Sequence, residues 1–169
     1  NEMKVFFYHG FEPAGKYTVK IDSIMDMEGN RAVNLNLDFI WYEARIYDLI
    51  FSEIMADPQP EVNLPDLEYL EIFNRSEYPV DLDSFVLQIG IKTWILPYFL
   101  LGPGDYLIIA NQDAPIHFKD INSLALFSSS AEITNNGQEI SVYDKKGNFI
   151  SGLKFDKSWY SDSYKSEGG

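Results

Sequence analysis

Apolar and polar residues alternate with a period of two along much of the chain, and almost nowhere with the period of a helix. Residues 16–24 set Tyr17, Val19 and Ile21 against Thr18, Lys20 and Asp22. Residues 33–42 set Val33, Leu35, Leu37, Phe39 and Trp41 against Asn34, Asn36 and Asp38. Successive side chains of a strand point to opposite faces, so each pattern predicts a half-buried strand. The aromatic run at residues 4–8, ended by His9-Gly10, predicts a third, making residues 1–46 a three-stranded β-meander. Further short apolar runs lie at 47–55, 68–74, 85–91, 93–96, 106–110, 139–143 and 149–155. Gly, Pro, Asn and Asp at 102–105, 135–137 and 146–148 separate the later ones as turns. Only residues 115–121 read as helical, for a turn or two. Strands at this spacing without intervening helices predict an all-β, antiparallel β-sandwich. Its inward-facing core is expected to include Leu70, Ile72, Phe85, Leu87, Ile108, Ile140 and Val142.

The pattern also predicts a boundary near residues 43–47, where the long alternation ends and a new apolar run begins. At 169 residues the chain can bury a core of ordinary size without a staple, and it has no cysteine to make one. The apolar stretch at 94–101 is far shorter than the ~20 residues of a membrane helix. The net charge is −13, the wrong sign for a nucleic-acid surface. Most of the excess lies between Asp48 and Asp83, which hold ten acidic residues and only Arg75. The chain opens at Asn1 with neither an initiator Met nor a signal peptide, and reads as a portion of something longer.

Several elements of residues 47–169 resemble the lamin tail domain as it occurs in bacterial envelope proteins. These are Leu49-Ile-Phe-Ser-Glu-Ile-Met-Ala-Asp-Pro58, Pro65-Asp-Leu-Glu-Tyr-Leu-Glu-Ile-Phe-Asn74 and Leu100-Leu-Gly-Pro-Gly-Asp-Tyr-Leu-Ile-Ile-Ala110. The late hairpin from Asn135-Asn-Gly through Gly147, and the close from Trp159 to Gly169, are similar too. The resemblance implies an immunoglobulin-like sandwich for residues 47–169. Residues 15–30 resemble the last strands of bacterial Ig-like repeat domains, so residues 1–46 are expected to be the C-terminal part of such a domain. The heptads, basic import segment and C-terminal cysteine of eukaryotic lamins have no counterpart here, so a nuclear-scaffold role does not carry over. What the resemblance implies is a non-catalytic interaction or tethering module of a larger bacterial secreted or cell-envelope protein, located outside the cytoplasm. Its expected partners are neighbouring domains of the parent or another envelope protein. A carbohydrate- or calcium-binding accessory module of a secreted hydrolase is the alternative.

Candidate chemistry is sparse. His9 and His117 stand in no metal-binding or nucleophile motif, and no phosphate-cradling glycine loop occurs, so no enzymatic activity is expected. The acidic stretch offers Glu53, Asp57, Asp66 and Glu68, with Glu71 nearby, as hard oxygen ligands for calcium, which takes six to eight of them. No spacing here matches a defined calcium loop. Strand alternation also puts Glu68 and Glu71 on opposite faces, so a solvated acidic edge that deters aggregation is the simpler reading. Residues 26–30 present alternating oxygens but read fully as a hairpin turn. Trp159, Tyr160 and Tyr164 are candidate contacts for a sugar or a partner, against the plainer role of covering the end of the sandwich. Asn74-Arg75-Ser76 is a glycosylation sequon by pattern and a turn by context. Finally, the apolar face Val33–Trp41 lacks a second sheet of its own, so it should pack either on the following domain or on the same segment of a second copy; the expectation is a homodimer through residues 1–46, created by truncation of the preceding domain.

Overall fold

The computed structural model describes residues 5–61, 64–129 and 131–159. The chain divides into two compact units, Asn1–Glu43 and Ala44–Gly169.

The first unit is a hairpin of two long antiparallel strands, β1 (Gly15–Met25) and β2 (Arg31–Trp41). Its register sets Tyr17 against Phe39, Val19 against Leu37, Ile21 against Leu35 and Ser23 against Val33, all on one face. The expected third strand is absent among the described residues: 5–14 form none. That segment instead folds over one end of the hairpin and packs rings. Phe11 lies 4.6 Å from Tyr17, 5.2 Å from Phe39 and 5.5 Å from Trp41, centroid to centroid, and Phe7 lies 5.0 Å from Phe11. Aromatic content read as β-propensity here serves packing, since rings gain from edge-to-face contact whatever their backbone does.

The second unit is an immunoglobulin-like β-sandwich. One sheet has the order β10 (Ser123–Ala125), β9 (Tyr106–Ala110), β4 (Tyr69–Asn74), β3 (Leu49–Met55). The other has the order β12 (Phe149–Asp156), β11 (Gly137–Tyr143), β6 (Val86–Ile89), β7 (Lys92–Ile95). Two short strands, β5 (Val80–Asp81) and β8 (Leu100–Leu101), pair separately. All pairings are antiparallel except β9 with β10, which is parallel. Leu49, Leu70, Ile72, Leu107 and Ile109 of the first sheet and Leu87, Ile89, Ile140, Val142 and Phe155 of the second are buried and form the facing layers.

One expected core position is corrected. Ile108 is buried, but it is paired with Glu71 and flanked by Leu107 and Ile109, which face inward; it therefore points to the outer side of its sheet. There it joins Met55, Leu67, Tyr69, Ala110, Ala114 and Phe118 in a smaller core beneath helix α1 (Ala114–His117). Alternation fixes which residues share a face; a run buried on both sides hides which face meets the second sheet.

Candidate functional site

Glu68 precedes β4 with the same parity as the inward-facing Leu70, Ile72 and Asn74. A carboxylate so placed must find donors within the protein. It does: one Glu68 oxygen accepts the backbone N–H groups of Glu132 (2.8 Å) and Ile133 (2.9 Å). Glu132 is buried as well. Its carboxylate accepts a 2.5 Å bond from Lys92 Nζ and bonds from Ser128 Oγ (2.8 Å) and Ser129 Oγ (3.1 Å). The two glutamates thus tie the loop between β10 and β11 to the start of β4 and to β7. Beside them Phe127 packs on Trp94 at 5.4 Å. Burial pushes the Glu68 carboxyl above its usual range, aided by the charges of Glu132 and Asp57 and opposed by the two amide bonds. Glu132 is held below its usual range, chiefly by Lys92.

A raised carboxyl beside an ionised one is the electrostatic pattern of an acid–base pair. The surroundings differ from those of a catalytic pair. Both carboxylates are buried and bonded to donors that belong to the fold, and their bonds lock a loop rather than line a cleft.

The other acidic candidates are engaged separately. Tyr69 Oη donates to Glu53 (2.7 Å), Ser52 Oγ donates to Glu71 (2.7 Å), and Gln59 donates to Asp66. Glu53 and Glu71 face each other across β3 and β4, next to a register irregularity between Phe51 and Glu53. Ser52 at that irregularity supplies a donor where two like charges stand opposite. Asp57 is half-buried and close enough to raise Glu68. Among the described residues, no three His, Asp or Glu side chains gather as a metal site would require. Glu132, Lys92, Ser128 and Ser129 escape sequence reasoning because they lie 24 to 64 residues from Glu68 and in no motif.

Asn74 of the sequon is fully buried. Its amide nitrogen lies 2.9 Å from the carbonyls of Tyr78 and Leu101 and 3.0 Å from that of Gly102. Its oxygen accepts the N–H (3.0 Å) and hydroxyl (2.7 Å) of Ser76. The nitrogen a glycan would need is inside the fold, tying the loop at Tyr78 to the end of β8 at Leu101 and Gly102. The acidic turn at 26–30 recurs in the second unit at 144–148 with the same bonds. In each, Asp Oδ1 accepts two backbone N–H groups at 2.8–2.9 Å, and Oδ2 accepts the Asn side-chain amide at 2.8 Å. Gly29 (φ 90°) and Gly147 (φ 82°) take the left-handed position that each turn requires.

His9 is exposed and lies in the first unit; His117, also exposed, ends helix α1 of the second. Trp159 is 62% exposed on a short 3₁₀ turn after β12. Tyr160 and Tyr164 lie outside the described residues. No described helix is long and apolar enough to cross a membrane.

An all-β sandwich whose buried charges serve its own loops defines an immunoglobulin-like module, a class whose members commonly mediate protein interactions. The family model of the lamin tail domain matches residues 43–157, more than half of the chain, and the chain belongs to that family. The family is one of non-catalytic modules. No curated protein matches the chain.

Proposed function

We propose that the chain is an interaction or tethering module of a larger bacterial secreted or cell-envelope protein. It positions its parent and carries out no reaction. The observation that carries this reading is the use made of the acidic stretch: Glu53, Asp66, Glu68 and Glu71 each hold a neighbouring side chain or loop of the same fold. Membership of the lamin tail domain family supports it. In the first unit, Val33, Leu35 and Leu37 expose 50%, 37% and 56% of their surface on one sheet face. That strip is where a neighbouring domain of the parent, or the same strip of a second copy, would pack. Deleting residues 43–157 from the parent and fractionating the cells tests the proposal. Release of an otherwise active parent from its normal compartment is expected; unchanged location with lost activity would overturn it.

The exposed Trp159 favours the accessory-module reading as a second possibility, since a solvent-facing indole can stack on a sugar ring. Trp159→Ala should then abolish retention on an insoluble polysaccharide, whereas the tethering reading expects no such retention to begin with.

A further inference from the structure

The second sheet of the sandwich is covered on its inner face, and its outer face carries one apolar row. Register places Ile95 of β7 against Val86 of β6, Val86 against Tyr143 of β11, and Tyr143 against Phe149 of β12. The next residues inward, Leu87 and Val142, are buried in the core, so the row points outward. Ile95 is 71% and Phe149 37% exposed, with Val86 and Tyr143 half-buried. Tyr47, 53% exposed, extends the row with its ring 6.4 Å from that of Phe149. Strands lie ~4.8 Å apart, so the row from Ile95 to Phe149 is about 14 Å long. The row beside it, Thr93, Gln88, Ser141 and Gly152, is small and polar. A Cβ on Gly152 would come within 3.0 Å of the Phe149 ring, so the glycine leaves that ring its place.

Opposite charges lie past this row at one edge of the sheet, one beyond each half of it. Beyond Ile95 and Val86 the ladder continues through Leu96 and Ser84, and just past it the exposed Asp81 and Asp83 share a turn in which Asp81 accepts the Asp83 N–H at 3.0 Å. Beyond Tyr143 and Phe149 comes the turn at 144–148, with Lys145 and Lys146 exposed. Because β6 and β11 run antiparallel, the start of one and the end of the other lie at the same edge of the sheet. Acid therefore lies past that edge beyond β6 and β7, and base past the same edge beyond β11 and β12.

We propose that this outer face is a self-complementary interface for a second copy of the chain. A two-fold axis parallel to the strands, above the boundary between β6 and β11, reverses the lateral order and leaves the sheet edge in place. It sets Ile95 of one copy over Phe149 of the other, and Asp81 and Asp83 of each opposite Lys145 and Lys146 of its mate. Each interaction occurs twice, as an isologous contact requires. Two outer faces packed this way have near-parallel strands, within the aligned geometry of stacked sheets. On a chain of net charge −13, this face puts adjacent lysines where a mate presents carboxylates. That complementarity favours a second copy over an unrelated apolar partner.

Sedimentation equilibrium of the full chain, in a Leu37→Asp background that removes the exposed strip of the first unit, tests this. A monomer–dimer equilibrium is expected that weakens as salt rises from ~0.1 to ~1 M, where the screening length falls from about 10 to 3 Å. Lys145→Glu with Lys146→Glu should weaken it by about tenfold or more, as should Asp81→Lys with Asp83→Lys, in variants shown by circular dichroism to stay folded. The four changes combined should restore it, since the swap regenerates opposite charges across the axis. Ile95→Asp, at an exposed position, should abolish it. A monomer at every concentration, or an association indifferent to the single charge reversals or not rescued by the fourfold swap, would overturn the proposal.

Discussion

Replacing Glu68 by alanine removes the one acceptor that the amides of Glu132 and Ile133 share. Each buried N–H left without a partner costs roughly 1–3 kcal/mol. Against that stands relief of a desolvated charge, whose raised pKa shows that the native site disfavours its ionised form. The balance is a loss of roughly 2–4 kcal/mol for Glu68→Ala. Glutamine keeps an acceptor oxygen and carries no charge, so Glu68→Gln should cost less than about 1 kcal/mol at neutral pH. The sign of the pH dependence follows from linkage. A carboxyl with a raised native pKa binds its proton more tightly in the folded state, so it favours folding as pH falls toward the unfolded value near 4.3. Glutamine mimics the protonated form at every pH. The stability of Glu68→Gln relative to wild type should therefore be most favourable near neutrality and decline on acidification. Urea unfolding followed through Trp94, whose ring packs on Phe127 of the tied loop, reads this directly. Amide exchange at 132 and 133 should accelerate in the alanine variant. Equal losses for alanine and glutamine, or a loss below about 0.5 kcal/mol for alanine, would refute the reasoning.

Glu132 carries the opposite sign. Its native pKa is lowered, so its contribution is present above about pH 4.3 and disappears as pH falls through the lowered value; Glu132→Gln should be destabilised at neutral pH and approach wild type in acid, as urea midpoints will show. Asn74→Asp exchanges a donor amid three carbonyls for a charge and should prevent folding of the second unit or destabilise it by more than about 3 kcal/mol, measurable by thermal melt. Ile72→Ala and Ile108→Ala should each cost about 2–5 kcal/mol. Only the Ile108 change should loosen helix α1, seen as faster exchange at Phe118, because only Ile108 shares its core.

The fold was largely legible because alternation survives wherever one face of a strand meets water. Tyr17, Val19 and Ile21 against Thr18, Lys20 and Asp22 define β1, and the same rule marks β2 and β11. It fails where both faces are covered. Residues 107–110 are all buried, so their apolar run predicts a strand but leaves its orientation open, and Ile108 faces outward against the expectation. It also fails at 5–14, where an aromatic run packs as irregular chain against the hairpin. Short strands such as β5, β8 and β10, of two or three residues, are too brief to leave a period at all. At the candidate site, the acidic stretch was visible as composition, but its partners were not. Lys92 and Glu132 meet across 40 residues of chain through tertiary packing, which no local spacing encodes.

The functional reading turns on whether the carboxylates between Asp48 and Asp83 serve the fold or a ligand, and a calcium melt decides that most directly. At about 10 mM calcium, even a site with a dissociation constant near 10⁻³ M would stabilise the native state by roughly 1.4 kcal/mol, a rise on the order of 4 °C. With these side chains committed to Tyr69, Ser52, Gln59 and the 132–133 amides, the second unit should melt at the same temperature in calcium as in sodium chloride of equal ionic strength. A calcium-specific rise of that size, abolished by Asp57→Asn with Asp66→Asn, would contradict the account.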